Sequence, residues 1–284
     1  MTKKKKIGLA LGGGGARGCS HIGVIKALEE AGIQIDCVAG TSIGSFIGGV
    51  YAAGDIKKLE KILLETTWKD VVKHFDPVLP TKGFFEGKKI VKLLKAILPN
   101  PNFKNARIPY AAVATDLTSG KEVVIKNGSI IKAIRASIAI PSIITPLKWK
   151  NRYLIDGGVV NPLPINVIQQ MEADIVIAVD LNHSFVKEKK ISKGSRKNRK
   201  IPLSGKITSW LTPNYPNIID VVENSIFVMQ DQITQKNLLK FKPDFLIQPS
   251  LGSSGVFDFH KAKEMIEEGY KQGKKIIPKL KRLL

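Results

Sequence analysis

The first 54 residues twice pass from a short apolar run, through a turn that contains glycine, into a segment with helical periodicity. The first unit joins a strand predicted at 7–11 to a helix predicted at 18–31, and the second joins a strand predicted at 33–39 to a helix predicted at 43–54. Strands and helices that alternate in this way build a parallel sheet covered by helices. The pattern therefore predicts an α/β fold whose central sheet is mostly parallel.

The rest of the chain continues the same alternation. Further strands are predicted at 108–116, 121–128, 174–181 and 244–251, and the third of them is continuously apolar, as in a central parallel strand. Further helices are predicted at 56–76, 86–98, 217–233 and 258–277. With 284 residues, of which 43% are hydrophobic, the chain can bury one substantial core. We expect a single domain over 1–284, composed of a motif-bearing part at 7–182, a basic loop at 183–215 and a C-terminal extension at 216–284.

A glycine-rich turn, GGGARG, occupies residues 13–18 between the first strand and the first helix. Glycines let the backbone approach an anion closely, and the free N–H groups at the following helix terminus point at it. The turn also spells G-x-G-x-x-G, and Asp36 follows near the end of the second strand, where a dinucleotide-binding fold places its ribose ligand. The anion is therefore either a pyrophosphate or a tetrahedral oxyanion, and the turn alone does not choose between them.

The second turn, GTSIG at residues 40–44, has the spacing of a nucleophile elbow and stands where a strand gives way to a helix. Such an elbow lifts its central serine, here Ser42, clear of the sheet. Glycines flank it because a strained nucleophile leaves no room for neighbouring side chains. The helix N-terminus adds a favourable dipole at the reacting oxygen. The alternative is a glycine-rich helix start that Ser or Thr caps.

A third pattern, YLIDGG at residues 153–158, places Asp156 at the end of a short apolar strand, before a glycine pair. Taken alone, Asp before Gly is typical of a turn. The chain order of Ser42, Asp156 or Asp180, and then His260 also matches an α/β-hydrolase triad. His260 stands at a predicted helix start, a position more typical of a surface residue.

Taken together, the three patterns occur in the order found in the patatin-like phospholipase family, and the stretch from Ile7 to about Asn182 resembles its compact bacterial members. The connecting sequences ARGCSHIGVIKALEEAGI, RASIAIPSIITPL and DGGVVNPLPI are also similar to the family's. Residues 183–284 carry no comparably specific similarity, and no functional residue is carried onto them from the family.

The resemblance implies a three-layer α/β/α fold and a lipid acyl hydrolase that works with a Ser–Asp dyad and without a histidine. In it Ser42 is the nucleophile and Asp156 the only base, and neither a metal nor a cofactor is expected. Because an aspartate with an ordinary pKa of about 3.9 is a weak base at neutral pH, we expect partial burial to raise the pKa of Asp156. The implied oxyanion hole comprises Gly13, Gly14, Gly15, Arg17 and Gly18, and the elbow and dyad are supported by Gly40, Gly44, Gly157 and Gly158.

The formal net charge of +21 indicates an anionic partner. Residues 183–206 hold nine Lys or Arg against one acid, and the tail at 271–284 adds six more basic residues. The basic stretch lacks interleaved aromatic residues, and we find no zinc, helix-turn-helix or RNA-binding signature, so no nucleic-acid partner is expected. An anionic membrane fits better, and the alternative is a solvated, Lys-rich loop.

Apolar segments are broken by Gly, Lys or Asp every few positions, so no run reaches the roughly 18 apolar residues of a membrane span. The start, MTKKKKIGLALGGGGA, has the charged and apolar regions of a secretory signal, but its apolar stretch is interrupted by glycines. We therefore expect no signal peptide. Two cysteines, Cys19 and Cys37, form no disulfide framework. We therefore expect a cytoplasmic protein that contacts the inner membrane face peripherally.

Overall fold

The computed structural model describes residues 4–67, 85–183, 218–252 and 254–284, and an eight-stranded sheet lies at its centre. The strands are β1 (Ile7–Leu11), β2 (Cys37–Thr41), β3 (Tyr110–Asp116), β4 (Glu122–Ile125), β5 (Leu147–Trp149), β6 (Arg152–Asp156), β7 (Ile175–Val179) and β8 (Phe245–Ile247). The helices are α1 (Cys19–Glu30), α2 (Ile43–Ala53), α3 (Ile56–Glu65), α4 (Lys88–Ile97), α5 (Ile130–Ser137), α6 (Ile165–Gln170), α7 (Ile218–Lys240) and α8 (Ala262–Lys281).

Five of the strands form the parallel part of the sheet. β1 lies between β2 and β7, β3 follows β2, and β8 follows β7, all in parallel pairing. The other three strands, β4, β5 and β6, extend the sheet beyond β3 with antiparallel pairing. The predicted α/β fold with a mostly parallel sheet is confirmed.

The sheet is covered on both faces, because alternate residues of its central strands enter different apolar clusters. In β1, Leu9 and Leu11 pack in the cluster that contains the apolar faces of α1, α2 and α8, whereas Ala10 packs in the cluster that contains α6. Side chains of a strand alternate between the two faces with a period of two. The sheet is therefore the middle of three layers, as the resemblance implied.

The register of β3 brings the ends of two other strands together. Ala112 pairs with both Ile125 of β4 and Gly40 of β2, while Ala114 pairs with both Val123 of β4 and Asp156 of β6. Because a strand has only two edges, β2 and β6 share the edge opposite β4. They meet there end to end, since β2 finishes opposite Val113 and β6, which runs the other way, finishes opposite Ala114.

The C-terminal extension packs directly on the motif-bearing part. A Cβ on Gly23 of α1 would lie 1.9 Å from the Ile266 carbonyl oxygen of α8, and one on Gly269 of α8 would lie 2.0 Å from the Ser20 carbonyl oxygen. The two backbones are therefore in contact, and glycine is needed on both helices because any side chain would push them apart.

Several predicted boundaries are wrong by a few residues, and one error matters. The second strand was predicted at 33–39, but β2 begins at Cys37, which places Asp36 before the strand instead of near its end. Short elements of mixed character, α5, α6 and β5, were missed, and α7 continues past 233 to Lys240. Most of the basic loop, residues 184–215, lies outside the described residues.

None of the helices in the described ranges is long and apolar enough to cross a membrane.

Candidate active site

Ser42 occupies the sharp turn between β2 and α2 with φ 55° and ψ −125°, a left-handed backbone conformation that non-glycine residues rarely adopt. The turn is held from both sides. The Ser42 N–H donates to Ser137 Oγ at 2.9 Å, and the Ser137 hydroxyl donates to the Val113 carbonyl of β3 at 2.6 Å. Strain of this kind costs about 1–3 kcal/mol and persists only where the surroundings impose it.

The glycines on either side of the elbow are required by close approach. A Cβ on Gly40 would lie 2.3 Å from the Gly44 carbonyl oxygen, and one on Gly44 would lie 2.1 Å from the Leu11 carbonyl oxygen of β1. The backbone of α2 therefore begins in direct contact with β1 and β2. This contact fixes where the Ser42 side chain emerges.

Asp156 ends β6 and is 2% exposed. Its Oδ1 accepts a hydrogen bond from the Gly158 N–H at 2.7 Å, while its Oδ2 accepts none of regular geometry from the described residues. Burial raises the pKa of Asp156 to about 7, against the opposing influence of the nearby Ser42 hydroxyl and the Gly158 N–H. A carboxyl group with this pKa can both accept and release a proton near neutral pH.

In the glycine-rich turn, one of the first three backbone N–H groups is already hydrogen-bonded and two are available. The Gly13 N–H donates to the Pro162 carbonyl at 3.0 Å, so it is already used. Within the described part of the chain, the N–H groups of Gly14 and Gly15 have no acceptor, and both residues line the same narrow cavity as Ser42 and Asp156. Of Gly13, Gly14 and Gly15, the last two are the ones whose N–H groups can donate to an anion.

Arg17 is completely buried behind this turn. Its guanidinium donates to the Gly14 carbonyl at 3.1 Å, to the Leu181 carbonyl at 3.0 Å and to Asn182 Oδ1 at 3.2 Å, and it lies 4.5 Å from the centre of the Phe227 ring. These contacts indicate that Arg17, which the resemblance implied as part of the oxyanion hole, steadies the turn.

His21 also supports the turn from below. Its Nε2–H donates to the Gly12 carbonyl at 2.8 Å, and burial lowers the pKa of its imidazole to about 4, so the ring stays neutral near pH 7. His21 therefore contributes position and no charge. Gly18, the last residue of the turn, packs against Ile43, where a Cβ would meet the isoleucine side chain at 2.2 Å.

Two cavities meet at Ser42. The narrow one has a volume of about 20 Å³ and also contains Asp156, Gly14 and Gly15. The larger one has a volume of about 190 Å³ and extends from Ser42 between α2, α3 and α4. Among the described residues, its walls are apolar apart from the Ser42 hydroxyl, the Cys19 thiol, Thr66 and Lys89; they include Phe46, Leu59, Leu63, Leu93, Ile144 and Phe257. Burial raises the pKa of the Cys19 thiol to about 12, so this group stays protonated and is a poor nucleophile.

The sequence patterns did not identify four residues of the narrow cavity that come from the C-terminal extension, namely Val256 and three residues of α7. Ile226, Phe227 and Gln230 of α7 line it beside Ser42 and Asp156. Residues 183–284 carry no motif, and helical periodicity alone gives no sign of which residue will enter a cavity. Only the folded structure shows that these residues reach the cavity.

The additional residues that the two alternative interpretations require, His260, Asp180 and Asp36, do not line either cavity that contains Ser42. His260 is exposed on a 3₁₀ turn at Phe259–Lys261 and lines neither cavity that contains Ser42, while Asp180 bonds to the Gln248 side chain and the Asn182 N–H. Asp36 lies at the amino end of β2 and accepts from the Ile7 N–H at 2.8 Å. It is therefore at the opposite end of the strands from the glycine-rich turn, and the predicted ribose-binding position was wrong.

Comparison with known proteins places this geometry in context. The patatin-like phospholipase family matches residues 9–168. An uncharacterised NTE-family protein of Mycobacterium tuberculosis is 43% identical over 183 residues, which are 64% of this chain and 51% of that protein. The mouse protein named patatin-like phospholipase domain-containing protein 6 is 32% identical over 285 residues, and the protein of Yarrowia lipolytica named lysophospholipase NTE1 is 31% identical over 291.

The chain spans about half the length of the mycobacterial relatives it matches. It covers 20% of the mouse protein and 20% of the Yarrowia protein, although 95% and 97% of this chain take part in those matches. Among solved structures, VipD from Legionella pneumophila is similar with a TM-score of 0.51 and 14% sequence identity, over 98% of this chain and 67% of that one. At this identity the likeness concerns the fold alone.

Proposed function

The chain belongs to the patatin-like phospholipase family, and from that premise we propose that it is a serine lipid acyl hydrolase in which Ser42 and Asp156 form the whole catalytic pair. The observation that carries the proposal is the shared narrow cavity, where a buried carboxyl group with a pKa of about 7 faces a serine held on a strained elbow. The larger apolar cavity reaches the same serine and supplies a place for an acyl chain.

In the acylation half-reaction, ionised Asp156 accepts the proton of the Ser42 hydroxyl while Oγ attacks the ester carbonyl carbon. The carbonyl oxygen becomes an oxyanion and receives hydrogen bonds from the N–H groups of Gly14 and Gly15. Loss of one such donor typically costs about 10²–10³ in kcat. Cleavage of the carbon–oxygen bond then leaves the acyl group on Ser42, and protonated Asp156 gives its proton to the leaving oxygen.

In the deacylation half-reaction, Asp156 accepts a proton from water, whose oxygen attacks the acyl carbon. The same N–H groups hold the second oxyanion. When that intermediate collapses, the fatty acid leaves and Asp156 returns the proton to Ser42 Oγ, which restores the starting state. One carboxyl group can perform all four transfers only if both of its protonation states are accessible, and a pKa of about 7 meets this requirement.

The shape of the site supports long-chain carboxylic esters of lipids as the substrate class. The apolar walls of the larger cavity favour an acyl chain over a polar group, since burying each methylene contributes about 0.8 kcal/mol. A relative in Yarrowia lipolytica is named as a lysophospholipase. We therefore propose phospholipids and lysophospholipids as substrates, with a lysophospholipid as the first to assay.

The charge distribution supports a peripheral contact with an anionic membrane, which is also part of the proposal. Besides the basic loop, helix α4 exposes Lys88, Lys92 and Lys95, of which Lys88 pairs with Glu86. The helix itself has no acidic residue, and it turns Lys89, Ile90 and Leu93 toward the larger cavity. Each basic group near an anionic surface adds about 1 kcal/mol of attraction within a Debye length of about 8 Å. An enzyme docked by this helix would have its acyl cavity close to the lipid, and the expected location is the cytoplasmic membrane face.

The proposal is tested by labelling the purified protein with a fluorophosphonate and by measuring fatty acid release from lysophosphatidylcholine. We expect a single adduct on the peptide that contains Ser42 and release that Ser42→Ala abolishes. Labelling of another residue, or release that persists in Ser42→Ala, would refute the nucleophile. A parallel titration with NAD should show no sub-millimolar binding, and tight binding would favour the nucleotide interpretation of the glycine-rich turn instead.

A further inference from the structure

Helix α7 inserts one polar side chain, Gln230, into the narrow cavity. The residue is 7% exposed and lines the cavity together with Ser42, Asp156 and Gly14. A buried carboxamide without hydrogen-bond partners costs free energy, so each half of the amide needs a reason to be there. The oxygen Oε1 and the nitrogen Nε2 of the Gln230 amide face different surroundings.

The orientation of the amide follows from Arg17, because a guanidinium can only donate hydrogen bonds. Arg17 lies 3.2 Å from Asn182, which must therefore present its oxygen, Oδ1, to the guanidinium. The amide nitrogen of Asn182 then faces Gln230 and donates to its Oε1 at 3.2 Å. The Nε2 group of Gln230 must consequently point the other way, away from Asn182.

That direction leads to the Asp156 loop. A Cβ placed on Gly158 would lie 2.3 Å from Gln230 Nε2 and 3.0 Å from Asp156 Oδ1, so the amide nitrogen and the carboxylate are both immediate neighbours of the same glycine. On the other side of the amide, the equivalent point on Gly13 lies 4.0 Å from Gln230 Oε1 and 3.4 Å from Ser42 Cβ. Among the residues that the structure describes, Nε2 has no hydrogen-bond acceptor.

From this arrangement we infer that Gln230 Nε2 donates a hydrogen bond to the oxygen atom that exchanges a proton with Asp156, in a role that rests on the proposed function. During acylation this atom is the leaving oxygen of the alcohol, and during deacylation it is the attacking water. A water oxygen that attacks with one lone pair and directs an O–H at Asp156 keeps a second lone pair, which can accept from Nε2. Gln230 cannot take the proton itself, so Asp156 remains the base.

The inference separates two kinds of chemical step. A p-nitrophenolate leaving group departs without needing a proton or a donor, so acylation by p-nitrophenyl butyrate should hardly depend on Gln230. Hydrolysis of the acyl-enzyme always needs the positioned water, and acylation by an alkyl ester needs the stabilised leaving oxygen. A residue that merely supports the fold would slow every step alike.

The test uses two uncharged variants, Gln230→Met, which keeps the length of the side chain without its amide, and Gln230→Leu, which removes the amide from a shorter side chain. The matched control is Gln235→Met, on the same helix, whose side chain bonds to Asp231 and does not line the cavity. Rapid mixing with p-nitrophenyl butyrate gives the acylation rate, and intact-mass spectra give the fraction of enzyme present as butyryl-Ser42.

We expect both Gln230 variants to acylate within about threefold of the wild-type rate, to accumulate butyryl-Ser42, and to turn over roughly tenfold more slowly or worse, while Gln235→Met behaves as wild type. Wild-type turnover by either Gln230 variant, or equal slowing of acylation and turnover, would overturn the inference. If wild-type protein released p-nitrophenol no faster than Ser42→Ala, the proposed function would fail first, and the two failures are thus distinguishable.

Discussion

Replacing Asp156 by Asn should stabilise the protein at pH 8 while it abolishes activity. Burial raises the pKa of this carboxyl group from 3.8 to about 7, so the fold disfavours its ionised form. Asparagine keeps an oxygen that can accept from the Gly158 N–H and carries no charge. The variant therefore removes the cost of burying a carboxylate without removing the hydrogen bond that the structure shows.

The size and sign of the effect follow from linkage. Between pH 4 and 7 the native wild-type protein holds a proton on Asp156 that the unfolded chain has lost, so the free energy of unfolding falls as the pH rises through this window. One pKa unit corresponds to 1.36 kcal/mol, and the full cost above pH 7 is therefore about 4 kcal/mol. With an unfolding entropy of about 2.1 cal/mol/K per residue, this corresponds to a difference in Tm of about 7 °C for a chain of this length.

The measurement is a pair of thermal or urea unfolding curves at pH 8 and pH 4 for wild type and Asp156→Asn. We expect the variant to be more stable by up to about 4 kcal/mol at pH 8, and the difference to vanish at pH 4. Asp180, whose pKa burial also raises, is present in both proteins and cancels. As a control, Asp116→Asn should lose stability at pH 8, because hydrogen bonds from the Thr118 and Ser119 N–H groups lower the pKa of that carboxyl. An Asp156→Asn protein less stable than wild type at pH 8 would refute burial as the cause of the raised pKa.

Four further predictions concern activity. Ser42→Ala and Asp156→Asn should each abolish ester hydrolysis, and the double variant should be no worse than either alone, because the two residues act as one unit; more than a tenth of wild-type kcat in Asp156→Asn would contradict the dyad. His260→Ala should change kcat on a short soluble ester by less than a few-fold, whereas a triad would lose roughly 10⁴. In a series of p-nitrophenyl esters, each added methylene should raise kcat/KM by up to about fourfold until the larger cavity is full, and a flat series would argue against an acyl site there. In the basic segment at 187–200, Gln should replace Arg196, Lys197, Arg199 and Lys200. We expect this variant to bind phosphatidylglycerol vesicles more weakly at low salt and to hydrolyse a soluble ester at the wild-type rate. Equal losses of both activities would place the segment in the active site or the fold.

The fold class could be predicted because its signal is local and repeated. Each strand and helix of the first 54 residues carries its own periodicity, and a turn that contains glycine joins the members of each pair. The misplaced start of the second strand has an equally local cause. The start of β2 was misplaced because Ile33 and Ile35, which precede it, are as apolar as the strand itself and are buried without being part of it.

The candidate site was predictable only as far as its motifs reach. Ser42, Asp156 and the glycine-rich turn each lie in a pattern whose residue types are dictated by backbone geometry. Gln230 lies in none, because its place in the cavity depends on how a helix nearly 190 residues away from Ser42 packs across the sheet. The sequence also could not predict that the Gly13 N–H is already hydrogen-bonded, since its acceptor, the Pro162 carbonyl, comes from another part of the chain.

Both members of the proposed pair are held in unfavourable states, and the register of β3 explains how the fold sustains them. Ser42 carries a strained backbone worth about 1–3 kcal/mol, and Asp156 carries a burial cost of about 4 kcal/mol at alkaline pH. Ser42 directly follows β2 and Asp156 ends β6, and both strands are hydrogen-bonded to the same edge of β3, so neither residue can relax without breaking sheet pairing. The Ser137 hydroxyl, which bonds to both the Ser42 N–H and the Val113 carbonyl, ties the elbow to β3 at the point where the two strand ends meet. The sheet thus sets the separation of the nucleophile and the base that we propose, and the hydrogen bonds through Ser137 hold the serine at that separation.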